Sequence, residues 1–402
     1  MSDDTEDDGL TEELANSTEF TDEEYGQPEA EELAGFSQAV LWGTDWTAET
    51  IISQMERGNI EMNPRFQRRD AWSRSNKTKF IESLILGLPI PQLGLAEKKD
   101  ARGRYIVLDG KQRLLSLANF AGLGDGKDVG FSLSALDIRD DLKRKTYKHL
   151  KKDPALRDDF EALNSHTLRT VVIRNWPNLA FLHLVFLRLN TGSLKLSPQE
   201  LRQAAVPGPF SDFADDFALA SDPLQTLLGR KTPDPRMRDV ELLVRHLSLQ
   251  FYLTDYRGRM KEFLDQSCEQ FNENWDVLED QIQESSSQFI EAIVALQEVF
   301  GAQNIARKKD SRLFNRSIFD ALAFYAVAPE TRTAMLTSIE AVKAAYLEVI
   351  EDEAFQTAVE SDTAGIPNTV ARLAIWGRKL SAALDTELAI PFVNSANQII
   401  IA

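Results

Sequence analysis

The spacing of apolar residues changes character along this chain. In the first half, short apolar runs at 93–96 and 105–108 predict buried strands. Residues 76–86 have helical spacing, and Thr47 is suited to cap an earlier helix. From Asn178 onward the spacing is helical. The pattern predicts an α+β protein with an α/β N-terminal domain followed by a mainly α-helical C-terminal domain.

Composition divides the chain into three parts. Residues 1–34 contain fourteen acidic residues and no Lys or Arg, so 1–37 is predicted to be an acidic disordered tail. The Pro-Gly-Pro stretch at 207–209 marks a second boundary. These features give an α/β domain at 38–205 and a helical domain at 206–402. Within the latter, amphipathic helices are predicted at 238–254, 273–300, 315–328, 333–360 and 368–385.

Residue counts exclude several classes of protein. The net charge of −18 becomes −4 without the acidic tail, so the rest of the chain is close to neutral. The single cysteine, Cys268, excludes an intramolecular disulfide framework and a cysteine zinc cluster. No apolar run approaches the roughly 18 residues that span a bilayer, and no signal peptide is recognisable. We therefore expect a cytoplasmic protein with no membrane partner.

The clearest chemical signal lies where the strand at 105–108 runs into a helix. The connecting residues are Asp109-Gly-Lys-Gln-Arg113. A helix start presents backbone N–H groups and the positive end of the helix dipole, which favour an anion. Lys111 and Arg113 add donors suited to phosphate. The segment predicts a phosphate-bearing ligand, either a nucleotide or a nucleic-acid backbone; a solvated helix start has the same pattern.

Four motifs follow one another, at 60–72, 80–91, 108–114, and 186–192 with 196–202. Together they resemble one known family, the N-terminal domain of GmrSD-type restriction systems, whose signature is DGQQR. The resemblance covers residues 38–205. In this chain Lys111 stands in place of a signature Gln, which keeps a donor and adds positive charge. The motifs are Ile60-Glu-Met-Asn-Pro-Arg-Phe-Gln-Arg-Arg-Asp-Ala-Trp72, Phe80-Ile-Glu-Ser-Leu-Ile-Leu-Gly-Leu-Pro-Ile-Pro91, Leu108-Asp-Gly-Lys-Gln-Arg-Leu114, and Phe186-Leu-Arg-Leu-Asn-Thr-Gly192 with Leu196-Ser-Pro-Gln-Glu-Leu-Arg202.

The resemblance implies a ParB/sulfiredoxin-like fold for the N-terminal domain and a nucleotide-dependent protein that senses or restricts foreign DNA. Its ligands would be a nucleoside triphosphate and Mg²⁺, with Asp109 as the metal ligand. DNA and a separately encoded nuclease or effector would be its partners, and a homo-oligomer is left open. The expected catalytic residues are Asp109, Gln112 and Arg113, and the expected nucleotide-binding residues are Arg65, Gln67, Arg68, Gly110, Lys111 and Asn190.

Structural interpretations compete with these functional ones in the signature turn. Arg113 either clamps a phosphate or forms an ion pair with Asp109 or Glu82 that fixes the turn. Asp109 either coordinates Mg²⁺ or is the usual turn-forming residue before glycine. Glu82 is either a solvent-facing residue or a second acid near the pocket.

The same choice arises in the flanking motifs. Arg65, Gln67 and Arg68 either complete a positive pocket or form a surface loop. Asn190 either borders the pocket or caps a helix. Ser197 and Glu200 are spaced as a capping box, and Glu200 and Arg202 are expected to form local helix pairs.

One family feature is missing from the C-terminal half. Related systems carry, or work with, a nuclease domain of the HNH class, whose chemistry needs a histidine base. Residues 206–402 contain one histidine, His246, on a helix where a structural role is expected. We therefore expect an NTP-hydrolysing sensor or regulatory subunit that lacks its own HNH nuclease. The alternatives are a non-enzymatic DNA-binding adaptor and a metal-dependent nuclease that acts through Asp109 and Glu82.

Overall fold

The computed structural model describes residues 39–60, 72–99, 101–123, 128–178, 181–182, 185, 197–307 and 314–401. Two compact units divide these residues. One unit contains the described residues of 39–205 together with Pro235–Met237. The other contains Val206–Asp234 and the described residues from Arg238 onward. The first unit has a mixed sheet with helices and the second is mainly helical, which confirms the predicted α+β class.

The sheet of the first unit has four strands in the order β1-β4-β2-β3. β1 is antiparallel to β4, β4 is parallel to β2, and β2 is antiparallel to β3. The turn signature follows directly after β3, which is paired only with β2 among these strands. The strands are β1 (Val40–Thr47), β2 (Leu93–Lys98), β3 (Ala101–Asp109) and β4 (Thr167–Arg174).

Helices cover both faces of this sheet. On β3, Tyr105 and Val107 belong to one apolar cluster, while Ile106 and Leu108 belong to the other, as the two-residue period of a strand requires. Burial on both faces explains why β3 lacks polar alternation at its centre. The helices of this unit are α1 (Ala48–Glu56), α2 (Arg74–Ile85), α3 (Lys111–Ala121), α4 (Tyr147–Lys152), α5 (Arg157–Ser165) and α6 (Pro198–Ala205).

Local signals predicted several of these elements. Thr47 caps α1, because its hydroxyl accepts a hydrogen bond from the amide of Thr50 at 3.1 Å. The strand β1 was not predicted; it ends at Thr47, the residue that caps α1. β1 is an edge strand whose first residues are exposed, so it lacks the apolar alternation of a half-buried strand.

The second unit is built from amphipathic helices and a C-terminal hairpin. The predicted helix at 333–360 is three helices, which are separated at Ser338 and Asp352. The helix at 260–273 and the hairpin were not predicted. No helix among the described residues is long and apolar enough to span a bilayer. The elements are α7 (Pro209–Leu219), α8 (Asp222–Leu227), α9 (Arg238–Tyr252), α10 (Met260–Glu273), α11 (Trp275–Phe300), α12 (Arg316–Ala326), α13 (Pro329–Thr337), α14 (Ile339–Glu351), α15 (Glu353–Glu360), α16 (Ile366–Leu384), β5 (Pro391–Val393) and β6 (Ile399–Ile401).

His246 lies in the core of this helical unit. Its ring stacks on Phe289 with a centroid separation of 4.3 Å and an interplanar angle of 8°. Its Nε2 atom is buried and has no hydrogen-bond partner among the described residues. Burial lowers the pKa of His246 from 6.5 to about 3. The ring is therefore neutral at physiological pH and acts as a core aromatic.

This burial predicts a specific loss of stability in acid. Below pH 6.5 the unfolded chain binds a proton at His246 that the folded chain does not bind, so stability falls as the pH drops towards 3. Between about pH 7 and about pH 4.5 this loss should be about 2–3 kcal/mol. His246→Phe should remove it. Urea unfolding at the two pH values measures the difference, and equal losses in both proteins would show that the histidine does not stay neutral.

Candidate functional site

The signature turn joins β3 to α3 through Gly110, which has a left-handed backbone with φ of +89°. A Cβ atom at this position would lie 2.3 Å from Cδ2 of Leu93 and 3.2 Å from Nε of Arg113. Glycine is therefore required here both by its backbone angle and by packing. The turn directs the first residues of α3, with their backbone amides and positively charged side chains, to the end of β3.

Arg113 is held by two partners next to this turn. Its Nη2 donates to Oδ2 of Asp109 at 2.7 Å, and its Nη1 donates to the carbonyl oxygen of Pro91 at 2.7 Å. The side chains of Arg113 and Asp109 are only 7% and 11% exposed. Of the two ion pairs considered from the sequence, the structure contains the pair with Asp109.

Lys111 forms a second buried ion pair, with a residue far away in sequence. Its Nζ atom lies 2.9 Å from Oε1 of Glu200, and the side chains are 6% and 3% exposed. Glu200 belongs to α6, 89 residues further along the chain. The expectation of a local helix pair for Glu200 is therefore wrong, because the fold brings α6 against the end of β3.

Glu200 also organises the start of α6. Its Oε2 accepts hydrogen bonds from the amide of Ser197 at 2.6 Å and from Nε of Arg236 at 3.2 Å. The hydroxyl of Ser197 accepts from the amide of Glu200 at 3.0 Å, which completes the predicted capping box. Arg236 lies in the segment Pro235–Met237, which belongs to this unit although the residues on either side belong to the other. Sequence analysis missed Arg236, since no local pattern links it to the turn.

Gln112 is the remaining side chain of the turn. Its Oε1 accepts a hydrogen bond from the backbone amide of Trp72 at 3.2 Å. Trp72 in turn packs edge-on against Phe80 of α2, at a centroid distance of 5.9 Å. Gln112 therefore connects the start of α3 with the end of the upstream motif at 60–72.

The structure brings together five of the predicted site residues: Asp109, Gly110, Lys111, Gln112 and Arg113. The other predicted nucleotide-binding residues, Arg65, Gln67, Arg68 and Asn190, lie outside the described residues. Their place in a phosphate pocket stays a prediction.

Both carboxylate oxygens of Glu82 accept hydrogen bonds from backbone amides, which gives this residue a structural role. Its Oε1 accepts from the amides of Ile138 and Arg139 at 2.8 and 2.7 Å, and its Oε2 accepts from the amide of Asp137 at 2.9 Å. Burial by itself raises the pKa of Glu82, but these hydrogen bonds outweigh it and the pKa lies below 4.5. Glu82 is an anchor for the loop at 137–139, and the structure does not place it beside Asp109 as a second acid.

Two carboxylates among the described residues lie at this turn, Asp109 and Glu200, and each is paired with a cation. Among the described residues, no group of three or more His, Cys, Asp or Glu side chains is placed to hold a metal ion. A Mg²⁺ ion bound with a nucleotide needs only one or two protein carboxylates, because phosphate oxygens and water complete its shell. The donor set is therefore compatible with Mg²⁺ that arrives with a nucleotide and does not resemble a dedicated protein metal site.

The charged side chains at this turn are arranged as ion pairs. Two cations and two carboxylates meet at the first turn of α3, and each cation is balanced by one carboxylate. A ligand that engages Arg113 or Lys111 has to leave these carboxylates compensated, because an uncompensated buried charge is costly.

Comparison with known proteins identifies the first unit. The geometry defines the class of protein: an α+β domain in which a glycine turn connects a buried strand to a charged helix start. Residues 48–207 match the family model described as GmrSD restriction endonuclease, N-terminal domain. No curated protein and no solved structure matches the chain. The ParB/sulfiredoxin-like fold expected from the resemblance stays a prediction.

The anchoring role of Glu82 can be tested by Glu82→Gln. The change places an NH₂ group against backbone N–H donors, so the free energy of unfolding should fall by about 1–3 kcal/mol at neutral pH. The carboxylate contributes stability above about pH 4.5, and this contribution is lost as the pH falls through the lower folded pKa. The difference between the two proteins should therefore shrink in acid, as urea unfolding at several pH values would reveal.

Glu161→Gln is the matched control for this test. Glu161 is an exposed acid of the same unit that pairs with Arg157 on α5, so its loss should change stability little. Equal stability of Glu82→Gln and the wild-type protein would contradict the anchoring role.

Proposed function

We propose that this chain is a component of a DNA restriction system and that it binds and hydrolyses a nucleoside triphosphate as a sensor or regulatory subunit. The family of residues 48–207, named for a restriction endonuclease, supports the restriction role. The observation that carries the nucleotide role is the pair of buried ion pairs at the first turn of α3. Lys111 and Arg113 would bind phosphate oxygens there.

Each predicted site residue is assigned a role in this proposal. Arg113, fixed by the carbonyl of Pro91, would hold a phosphate with the guanidinium already oriented. Asp109 would hold Mg²⁺, which supplies charge neutralisation of phosphate oxygens when it is bound. Gln112 would orient the attacking water. Arg65, Gln67, Arg68 and Asn190 would complete the phosphate pocket.

Glu200 would couple ligand binding to the rest of the unit. When Lys111 turns to a phosphate, the carboxylate of Glu200 keeps Arg236 as its partner, so it is not left uncompensated. The hydrogen bonds between Ser197, Glu200 and Arg236 would then adjust with the nucleotide state. This gives the protein a physical route from phosphate binding to the segment Pro235–Met237.

DNA cleavage would be the task of a separately encoded nuclease partner. The histidine of residues 206–402, His246, is stacked in an apolar core and neutral, which is unsuited to an HNH general base. The regulatory subunit would act on this partner through its nucleotide state. Homo-oligomer formation is compatible with this role but does not follow from it.

Asp109→Asn tests the assigned chemistry. The amide keeps an oxygen acceptor for Arg113 but loses the charge that would hold Mg²⁺. Hydrolysis of the preferred nucleotide with Mg²⁺ should fall roughly a hundredfold, because metal charge stabilisation is worth several kcal/mol and each ~1.4 kcal/mol is tenfold. Phosphate release is measured with ATP, GTP, CTP and UTP in turn, and circular dichroism checks folding.

The control is Asp141→Asn, which removes another carboxylate that pairs with an arginine in the same unit, Arg139, but on the exposed surface. It should hydrolyse nucleotide at the wild-type rate. Wild-type activity in Asp109→Asn would refute the catalytic assignment, and absence of nucleotide binding by the wild-type protein would refute the nucleotide role. Plasmid cleavage by the purified chain with Mg²⁺ or Mn²⁺ would refute the separate nuclease.

A further inference from the structure

A cluster of positive charge lies away from the signature turn. Residues 143–152 contain six Lys or Arg residues and no acid, in a chain whose net charge is −18. Five of the six side chains are exposed and Lys145 is half-buried. We call residues 143–152 the basic segment. Its cations are Lys143, Arg144, Lys145, Lys148, Lys151 and Lys152.

These cations lack ion-pair partners among the described residues, whereas their neighbours have them. Arg139 pairs with Asp141 and Asp159, and Arg157 pairs with Glu161. The carboxylate of Asp153 accepts a hydrogen bond from the amide of Ala155. Asp141, Asp159 and Glu161 are therefore paired with other cations, and five of the six cations of the basic segment are exposed to solvent.

Local stability does not explain where these charges lie. Lys151 and Lys152 in the last turn of α4 are favoured by the helix dipole, but Arg144 and Lys145 precede its N-cap, Thr146, where a positive charge is unfavourable. Lys148 and Lys152 are like charges four residues apart on one helix face and repel each other. The arrangement is electrostatically costly in the free protein, and a bound polyanion would remove that cost.

The backbone holds the cations in place. The amide of Arg144 donates to the carbonyl of Leu133 at 2.8 Å, and the amide of Leu133 donates to the carbonyl of Lys145 at 2.8 Å. Leu133 and Leu150 are buried in the core of the unit. The loop and α4 are therefore fixed, and binding a polyanion would order side chains but not the backbone.

The other side chains of the basic segment are used internally. The hydroxyl of Thr146 caps α4 and contacts the ring of His149. Tyr147 packs against Phe120 and Phe160, with ring centroids 5.9 and 5.4 Å away. Tyr147 is thus packed internally, and what the exposed surface of the segment mainly offers a partner is positive charge.

We propose that the basic segment binds the phosphate backbone of duplex DNA independently of sequence. Ammonium groups that contact successive phosphates release counterions, which gives affinity without base recognition. This surface is distinct from the turn at 109–113, where both cations are buried and paired. The choice of duplex DNA over another polyanion rests on the proposed restriction function.

The test is duplex binding by the full chain without nucleotide. Fluorescence anisotropy with a labelled duplex of mixed sequence is measured over a series of salt concentrations. Replacing Lys148, Lys151 and Lys152 together by Gln should weaken binding at least about tenfold near 0.1 M salt and should reduce the slope of log K against log salt by about 2–3. Glutamine is about as good a helix former as lysine, so α4 is retained.

The control replaces Lys231, Lys343 and Lys379 by Gln, which changes the net charge equally but in the helical unit. Its affinity should stay within about twofold of wild type, since these lysines lie outside the basic segment and two of them, Lys343 and Lys379, are paired with glutamates. Equal losses in both triple variants, or no duplex binding by the wild-type chain, would overturn the proposal. The first variant could instead bind duplex DNA like the wild-type protein while its residues 1–37 are cleaved faster by a protease. That result would show that the basic segment binds the acidic tail, and it would also overturn the proposal. Because nucleotide is absent, none of these outcomes bears on hydrolysis.

Discussion

Charge balance at the first turn of α3 is the constraint on which the first unit depends. Two cations are almost completely buried there, and each has a carboxylate within hydrogen-bonding distance that compensates its charge. Asp109 is the last residue of β3, directly before the turn, but Glu200 lies on α6. Burial of the turn therefore requires contact between parts of the chain that are far apart in sequence. The same contact fixes the position of the start of α6.

Short-range patterns predicted much of the fold. The apolar runs of β2 and β3, the cap at Thr47 and the capping box at Ser197 follow from neighbouring residues, and the structure contains all of them. The edge strand β1 was missed because its exposed positions have no periodic signal. The helix break at Asp352 was not predicted, because an amphipathic pattern can continue across a helix cap. In the structure the Asp352 side chain caps the next helix by accepting a hydrogen bond from the amide of Phe355.

The position of the charged residues in the turn was predictable, but their pairing was not. Residue types predicted that Lys111 and Arg113 would lie at a helix start, and both do. They did not show that Lys111 would meet Glu200, because that contact depends on packing across 89 residues. For Glu82, helical position was compatible with a role as a second acid, whereas the hydrogen bonds from the loop at 137–139 make it an anchor.

The segment Pro235–Met237 has a practical consequence for dissecting the molecule. It belongs to the first unit although the residues on either side belong to the second, so within residues 39–401 the backbone passes from one unit to the other three times. A fragment that ends at residue 205 would lack Arg236, and Glu200 would lose one of its two positively charged partners. Neither unit is a continuous stretch of chain, and cutting the gene at a single point cannot release either of them whole.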